Sequence, residues 1–187
     1  MPARPHILFI CTDQQRYDSI GCYGAEWVNT PNLDKLASES AVFENCYVNN
    51  PICTPSGASM FTGKQLPEHE VYKLHDILPS AEILFTRLLK ETGYRTSLFG
   101  KLHVSGRLYE ENNRHPNDGF DIYEWCLEAS ISMDSPYNAY SKWLKEKNPN
   151  FHAKLKKLGR KLLHIPKEYH LTHWASERTI NFIKNYD

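Results

Sequence analysis

Cys53 and the four residues after it, Thr-Pro-Ser-Gly, directly precede a predicted helix over residues 58–62 that Gly63 ends. Backbone N–H groups at a helix start favour a thiolate or a bound anion. An isolated cysteine is more often a small buried residue without reactivity. Both interpretations of Cys53 remain open from these residues alone.

Lys101 and His103 follow a predicted strand over residues 94–99, where the chain changes from apolar to polar. Being two residues apart, they are expected to project to the same side. A cation beside an imidazole suits the binding of a tetrahedral anion and proton transfer to a leaving group. The alternative is a surface lysine and a partly buried histidine.

Asp13 directly follows the apolar run at residues 6–12, which predicts a buried parallel strand. Ligands of open α/β sheets lie beyond the carboxyl ends of the strands, so the Asp13 carboxylate is expected in that crevice. Carboxylate oxygens suit hard cations such as calcium or magnesium. An aspartate that caps the next turn is the alternative.

Strands and helices alternate along the sequence, which favours an α/β fold with a largely parallel sheet flanked by helices. An apolar run predicts a strand at residues 6–12, and further strands are predicted at residues 94–99 and, together with a flanking loop, at residues 41–48. Helical spacing and start or stop residues predict helices at 30–40, 58–62, 81–92, 137–147 and 172–186. Residues 51–57 and 107–118 are predicted loops, the second on the surface.

Composition narrows the class of protein. The 187 residues include 22 acidic and 22 basic side chains, so the overall charge indicates neither a nucleic-acid nor a membrane partner. Five cysteines without a Cys-x-x-Cys pair argue against a disulfide framework and a structural zinc site. Neither a signal peptide nor a membrane helix is predicted, so we expect a reduced, cytoplasmic protein.

Residues 145–167 form a segment with many bases and almost no acids. The apolar positions Leu155, Leu158 and Leu162 within it are typical of a solvated amphipathic helix. The other interpretation is an insert or lid at the rim of a site, which attracts anionic substrates.

Several ordered motifs together resemble the sulfatase family. Residues 12–24 and 30–37 resemble its opening, and residues 53–56 with Thr62-Gly63 resemble its first signature, Cys-x-Pro-x-Arg followed by Thr-Gly. Residues 93–103 match every fixed position of its second signature, Gly-Tyr-x-Thr-x-x-x-Gly-Lys-x-His. The resemblance is continuous to about Asp121 and weaker beyond it.

The resemblance implies an alkaline-phosphatase-like fold, one divalent cation, usually calcium, and a small anionic sulfate-ester substrate. A maturation enzyme oxidises the signature cysteine of such proteins to formylglycine, whose hydrate supplies the nucleophile. By resemblance, Cys53 is that residue, and Asp13, Gln14 and Cys53 bind the metal. Lys101 and His103 would hold the sulfate and the hydrated nucleophile.

This sequence departs from the family pattern in two ways. Gly57 stands in place of the signature arginine, which helps the maturation enzyme to recognise the motif, so we expect weak or absent conversion of Cys53. Family members are much longer, and their remaining metal ligands lie beyond the part matched here. We therefore expect residues 1–187 to be the N-terminal part of a catalytic domain, with a sheet incomplete at its C-terminal side.

His173 is either a stray substrate contact or a helix-start residue.

Three functional hypotheses follow. The first is a sulfuric ester hydrolase, of which this chain is the N-terminal part. The second is a phosphonate or phosphodiester hydrolase of the same superfamily, because nothing in this segment separates sulfate from phosphate. The third is a non-catalytic homologue, since Gly57 replaces the arginine and the later ligands are not in the chain.

Overall fold

A computed structural model describes residues 4–185, which divide into two compact units with the boundary after Tyr47. Each unit is described by itself. Within residues 4–185, no helix is both long and apolar enough to span a membrane.

The first unit contains two short 3-10 helices, Tyr17–Ser19 and Gly21–Tyr23, and helix α1, Pro31–Ser38. Proline at the first position of α1 confirms the predicted helix start. The Thr30 side chain does not cap this helix. Its hydroxyl instead donates to the Asp34 carboxylate and accepts from the Gly21 N–H, at 2.8 Å. These bonds tie the second 3-10 helix to α1.

The strands predicted at residues 6–12 and 41–48 are wrong. Neither segment forms a strand, and their apolar side chains are exposed, with Ile10 at 75% and Phe43 at 73%. A strand is defined by hydrogen bonds to a neighbour, which an apolar run does not itself supply. Among the described residues, no strand pairs with either segment.

The second unit contains the parallel strand pair and most of the helices. The strands β1, Ser97–Gly100, and β2, Ile122–Trp125, pair in register from Ser97 with Ile122 to Gly100 with Trp125. The helices are α2, Cys53–Thr62; α3, Leu66–His69; α4, Phe85–Glu91; α5, Arg107–Glu110; α6, Ala139–Lys147; α7, Pro149–Leu158; and α8, Leu171–Lys184. Alternating helices and parallel strands confirm the predicted α/β class.

Two predicted loops contain helix. Residues 53–57, predicted as part of a loop, form the first turns of α2, and Gly63 ends this helix in a left-handed conformation, as expected. The Asn50 side chain accepts from the Ile52 N–H at 2.8 Å and so shapes the chain just before α2. The predicted surface loop at 107–118 contains α5, and Glu110 and Asp118 within it are buried. Hydrogen bonds replace the water that each carboxylate loses, from Arg114 to Asp118 and from the His103 N–H to Glu110.

The remaining helix predictions are confirmed with shifted boundaries. Helix α4 begins at Phe85 rather than residue 81, and α6 and α8 begin within two residues of the predicted starts. The predicted end of α8 at Tyr186 lies outside the described residues. Leu155 in α7 is buried, which supports an amphipathic helix in the basic segment 145–167.

The second unit has two hydrophobic clusters. One surrounds β1 and β2, and its buried members are Ala58, Phe61, Val71, Leu78, Leu84, Leu102, Val104, Phe120, Trp125 and Leu127. The other joins α6, α7 and α8, and its buried members are Cys126, Met133, Tyr140, Leu144, Leu155 and Trp174. The first cluster supports the loop that follows β1, where the candidate site residues lie.

Candidate active site

Helix α2 carries Cys53 at its first position, with Ile52 as the N-cap residue. The Cys53 side chain is exposed, whereas the neighbouring Thr54 is fully buried. The first N–H groups of an α-helix have no acceptor within the helix, so they are available to an anion. Cys53 is therefore accessible at a position suited to negative charge.

Thr54 connects the start of α2 to the loop after β1. Its hydroxyl donates to the Leu74 carbonyl at 3.0 Å, and its oxygen lies 3.1 Å from Nε2 of His103. The single hydroxyl proton is used by Leu74, so Nε2 of His103 must carry a hydrogen and donate to Thr54. The structure thus brings the His103 ring to Thr54, the residue after Cys53, and sets the ring nitrogen that bears the proton.

The backbone of His103 packs directly on α2 at Gly57. A Cβ at position 57 would lie 2.7 Å from the His103 carbonyl oxygen, a distance that requires the backbone to move. His103 itself has a left-handed φ of 55°, which is uncommon for a residue with a side chain. A side chain at position 57 would therefore require the loop backbone to move.

Lys101 directly follows β1 and is half-buried. It precedes His103 by two residues on the same loop, so both lie at the carboxyl end of the strand, as the sequence predicts. The roles of Lys101 and His103 in anion binding stay predictions.

Glu110, at the end of α5, was not predicted from the sequence. It is only 3% exposed, and its carboxylate accepts from the N–H groups of His103 at 3.1 Å and Ser105 at 3.0 Å. The indole N–H of Trp125 donates to it at 3.1 Å. Burial raises the pKa of Glu110 to about 7, while these hydrogen bonds oppose the rise. A four-residue helix has no periodicity that would reveal such a residue.

His69 is a second buried histidine near α2, and its role is structural. The Val71 N–H donates to its Nδ1 at 3.1 Å, so Nε2 carries the hydrogen and donates to the Ser59 hydroxyl at 2.8 Å. Desolvation by burial lowers the pKa of His69. A neutral histidine with this tautomer links α2 to α3 and does not act as a base toward Ser59.

Asp13 and Gln14 lie in the first unit, where both are exposed and Gln14 has a left-handed φ of 58°. A carboxylate and an amide fit a hard cation in donor type, but they supply few of the roughly six to eight oxygens that calcium takes. Across residues 4–185, no group of three or more His, Cys, Asp or Glu side chains is placed to hold a metal. The predicted set of Asp13, Gln14 and Cys53 stays a prediction.

His173 lies in the first turn of α8, with Nε2 3.7 Å from a Glu177 carboxylate oxygen. The N-cap of α8 is His170, whose Nδ1 accepts from the Thr172 N–H at 3.2 Å. This placement supports the helix-start interpretation of His173.

The structure combines a cysteine at a helix start with a lysine and a histidine that follow a parallel strand of an α/β fold. The family model described as Sulfatase matches residues 5–184. The chain therefore belongs to the sulfatase family, and it has the alkaline-phosphatase-like α/β fold.

Individual relatives agree with this assignment. The chain is 39% identical to the ulvan-active sulfatase of Formosa agariphila over 139 residues, which are 73% of this chain and 27% of that protein. A solved structure in complex with its substrate D-glucosamine-2-N,6-O-disulfate matches with a TM-score of 0.58 and 31% identity, over 70% of this chain and 24% of the other. The phosphonate monoester hydrolase of Agrobacterium radiobacter shares the fold with a TM-score of 0.73 and 20% identity, over 98% of this chain and 39% of that chain. The chain spans 24% to 40% of the length of the curated relatives it matches.

We expect Gly57→Ala to lower the free energy of unfolding by about 1–3 kcal/mol, because the new methyl group meets the His103 carbonyl. Helix propensity alone predicts the opposite sign, a gain of about 1 kcal/mol. Urea unfolding measures the difference. Ser56→Ala, at the neighbouring half-buried helix position, is the control and should change stability far less. A Gly57→Ala chain at least as stable as the wild type would contradict the packing.

The raised pKa of Glu110 predicts a specific pH dependence of stability. The folded chain binds this proton more tightly than the unfolded chain, whose carboxyl has a pKa near 4.5. The stabilisation by the proton is therefore complete below 4.5 and is lost as the pH rises through about 7. Relative to Glu110→Gln, which does not titrate, the wild-type free energy of unfolding should fall by about 3 kcal/mol across this window. Parallel pH profiles for the two chains would contradict the prediction.

Proposed function

We propose that this chain forms part of a sulfatase-type hydrolase that cleaves sulfate esters. The observation that carries the proposal is the hydrogen bond between His103 and Thr54, which holds a buried imidazole at the residue after Cys53 in a chain of the sulfatase family. This contact joins the two signature motifs of the sequence at one place.

The residues of this chain have distinct proposed roles. The N–H groups at the start of α2 and the Lys101 ammonium hold the negative sulfate oxygens. The Nε2–H of His103 meets the Thr54 hydroxyl in the first turn of α2, and a sulfate oxygen bound there is proposed to take over this donor from Thr54. Cys53 stands at the nucleophile position, where formylglycine would supply the attacking oxygen. A divalent cation, proposed to be calcium, would be held by Asp13, Gln14 and Cys53 and would neutralise negative charge.

The proposed substrate class is a sulfated sugar. The relative from Formosa agariphila is called ulvan-active, and the solved neighbour holds a glucosamine disulfate. The structural neighbour that is a phosphonate monoester hydrolase supports the fold alone, at 20% identity. Sulfate esters are therefore preferred over phosphonates and phosphodiesters as the substrates of this site.

The test is turnover by the natural protein that carries this chain, using an aryl sulfate, an aryl phosphodiester and a phosphonate monoester with the same leaving group. Measured on the fraction of molecules whose residue 53 is converted, we expect the aryl sulfate to give the highest kcat/KM. On the same basis, His103→Ala should lower kcat at least about a hundredfold, because a proton donor is lost. Preference for a phosphonate or phosphodiester would support the alternative hydrolase. No turnover of any ester by protein with a converted residue 53 would support a non-catalytic homologue.

Conversion of Cys53 is a separate prediction. We expect little or no formylglycine in this chain co-expressed with a formylglycine-generating enzyme, because Gly57 offers no guanidinium and no room for one without backbone movement. Peptide mass spectrometry across residues 53–57 measures the fraction of aldehyde. A conserved-signature sulfatase processed in the same cells is the control. Complete conversion of Cys53 would contradict the prediction.

The basic segment 145–167 is proposed as a rim that attracts anionic substrate. Lys154 and Lys157 on α7 are exposed, whereas Lys156 and Arg160 form ion pairs with Asp134 and Glu128. Exposed cations near a site raise the rate at which an anion arrives, and salt screens this effect.

We expect Lys157→Glu to raise KM for a sulfated oligosaccharide a few-fold at low salt, with the difference shrinking as salt increases. Initial-rate kinetics at two ionic strengths measure the effect. Lys184→Glu, an equal charge change at an exposed position on α8, is the matched control. An equal effect of both variants would show that only net charge matters and would remove the case for a rim.

A further inference from the structure

Glu110 gathers donors from two separate parts of the second unit. Its Oε2 accepts from the His103 N–H and from the Trp125 indole, and its Oε1 accepts from the Ser105 N–H. Trp125 ends β2, while His103 and Ser105 belong to the loop that follows β1. The buried carboxylate therefore joins this loop to the neighbouring strand.

The loop conformation that Glu110 holds is an uncommon one. His103 has a positive φ, and its carbonyl lies against Gly57 of α2. The N–H of the same residue donates to Glu110, so the backbone of His103 is held at its N–H as well as at its carbonyl. The direction of the imidazole then follows from the backbone, and its Nε2–H meets Thr54.

Both carboxylate oxygens are required for this arrangement. A carboxylate accepts at each oxygen, whereas an amide or a protonated carboxyl replaces one acceptor with a donor. Such a donor would face an N–H group that is itself buried and has to be satisfied. The ionised side chain is thus the one that matches all three donors.

We propose that Glu110 is a positioning residue for the hydrolytic site: its carboxylate fixes the backbone of residues 103–105 so that His103 presents Nε2–H to the first turn of α2 at Thr54. This inference rests on the proposed function, because only there does His103 handle the substrate. Glu110 itself touches His103 through the backbone and acts through it.

The test is NMR of this chain, which needs no turnover. In the wild type, at a pH where Glu110 is ionised, we expect a scalar coupling across the hydrogen bond between the His103 amide nitrogen and the Glu110 carboxyl carbon. In Glu110→Gln, we expect amide hydrogen exchange at His103 or Ser105 to accelerate at least about tenfold, since one N–H loses its acceptor. The ring nitrogen shifts of His103 should move as well.

Glu111→Gln is the matched control, because this neighbouring carboxylate accepts instead from the Ser132 hydroxyl and does not touch the loop. It should leave the His103 signals unchanged. Signals of Trp174 and Leu144, buried in the other cluster, report whether each variant is folded. A folded Glu110→Gln chain with unchanged His103 signals would overturn the inference. If that variant does not fold, absence of the wild-type coupling would overturn it.

Turnover separates this inference from the proposed function. In an active protein, Glu110→Gln should lower kcat at least about tenfold with a smaller change in KM. The reason is that His103 is displaced while the other contacts between the protein and the anion remain. Unchanged kcat would overturn the positioning role. An inactive wild type whose His103 still responds to Glu110→Gln would count against the proposed function alone.

Discussion

The close packing of the His103 carbonyl on Gly57 is the constraint on which the candidate site depends. It allows the loop after β1 to approach α2 closely enough for the His103 ring to reach Thr54. A side chain at position 57 would separate these elements. The absence of a side chain at position 57 therefore goes together with the contact between the His103 ring and Thr54, the residue after Cys53.

The loop after β1 also depends on a buried charge, the carboxylate of Glu110. An ionised carboxylate inside a protein is costly unless hydrogen bonds replace its hydration. Glu110 obtains three such bonds because β1 and β2 are parallel and in register, which places Trp125 opposite Gly100, directly before the loop. The strand pair thus positions both the donors and the residues they hold. The position of His103 therefore depends on three features together: the Glu110 carboxylate, the register of β1 with β2 and the left-handed backbone of His103 itself.

Local pattern was sufficient to predict part of this structure. The change from apolar to polar residues after Phe99 located Lys101 and His103 at the end of a strand, and the two long signatures identified the family. The contact at Gly57 involves a residue distant in sequence, and Glu110 accepts from loop N–H groups and an indole whose positions follow no helix or strand period. The apolar run at residues 6–12 predicts a strand that does not form, because strand pairing is a property of two segments. The metal site predicted at Asp13 and Gln14 remains a prediction, because a metal site likewise depends on ligands from separate segments.

The most direct test of the account is a titration of this chain with inorganic sulfate, followed by residue-resolved NMR. The account predicts saturable shifts at the Cys53 and Thr54 amides and at the His103 ring. The two amide shifts should weaken in His103→Ala, and all three should persist in Lys184→Ala. Shifts confined to the basic segment 145–167, or none at these residues, would contradict the claim that α2 and the loop after β1 together form an anion site.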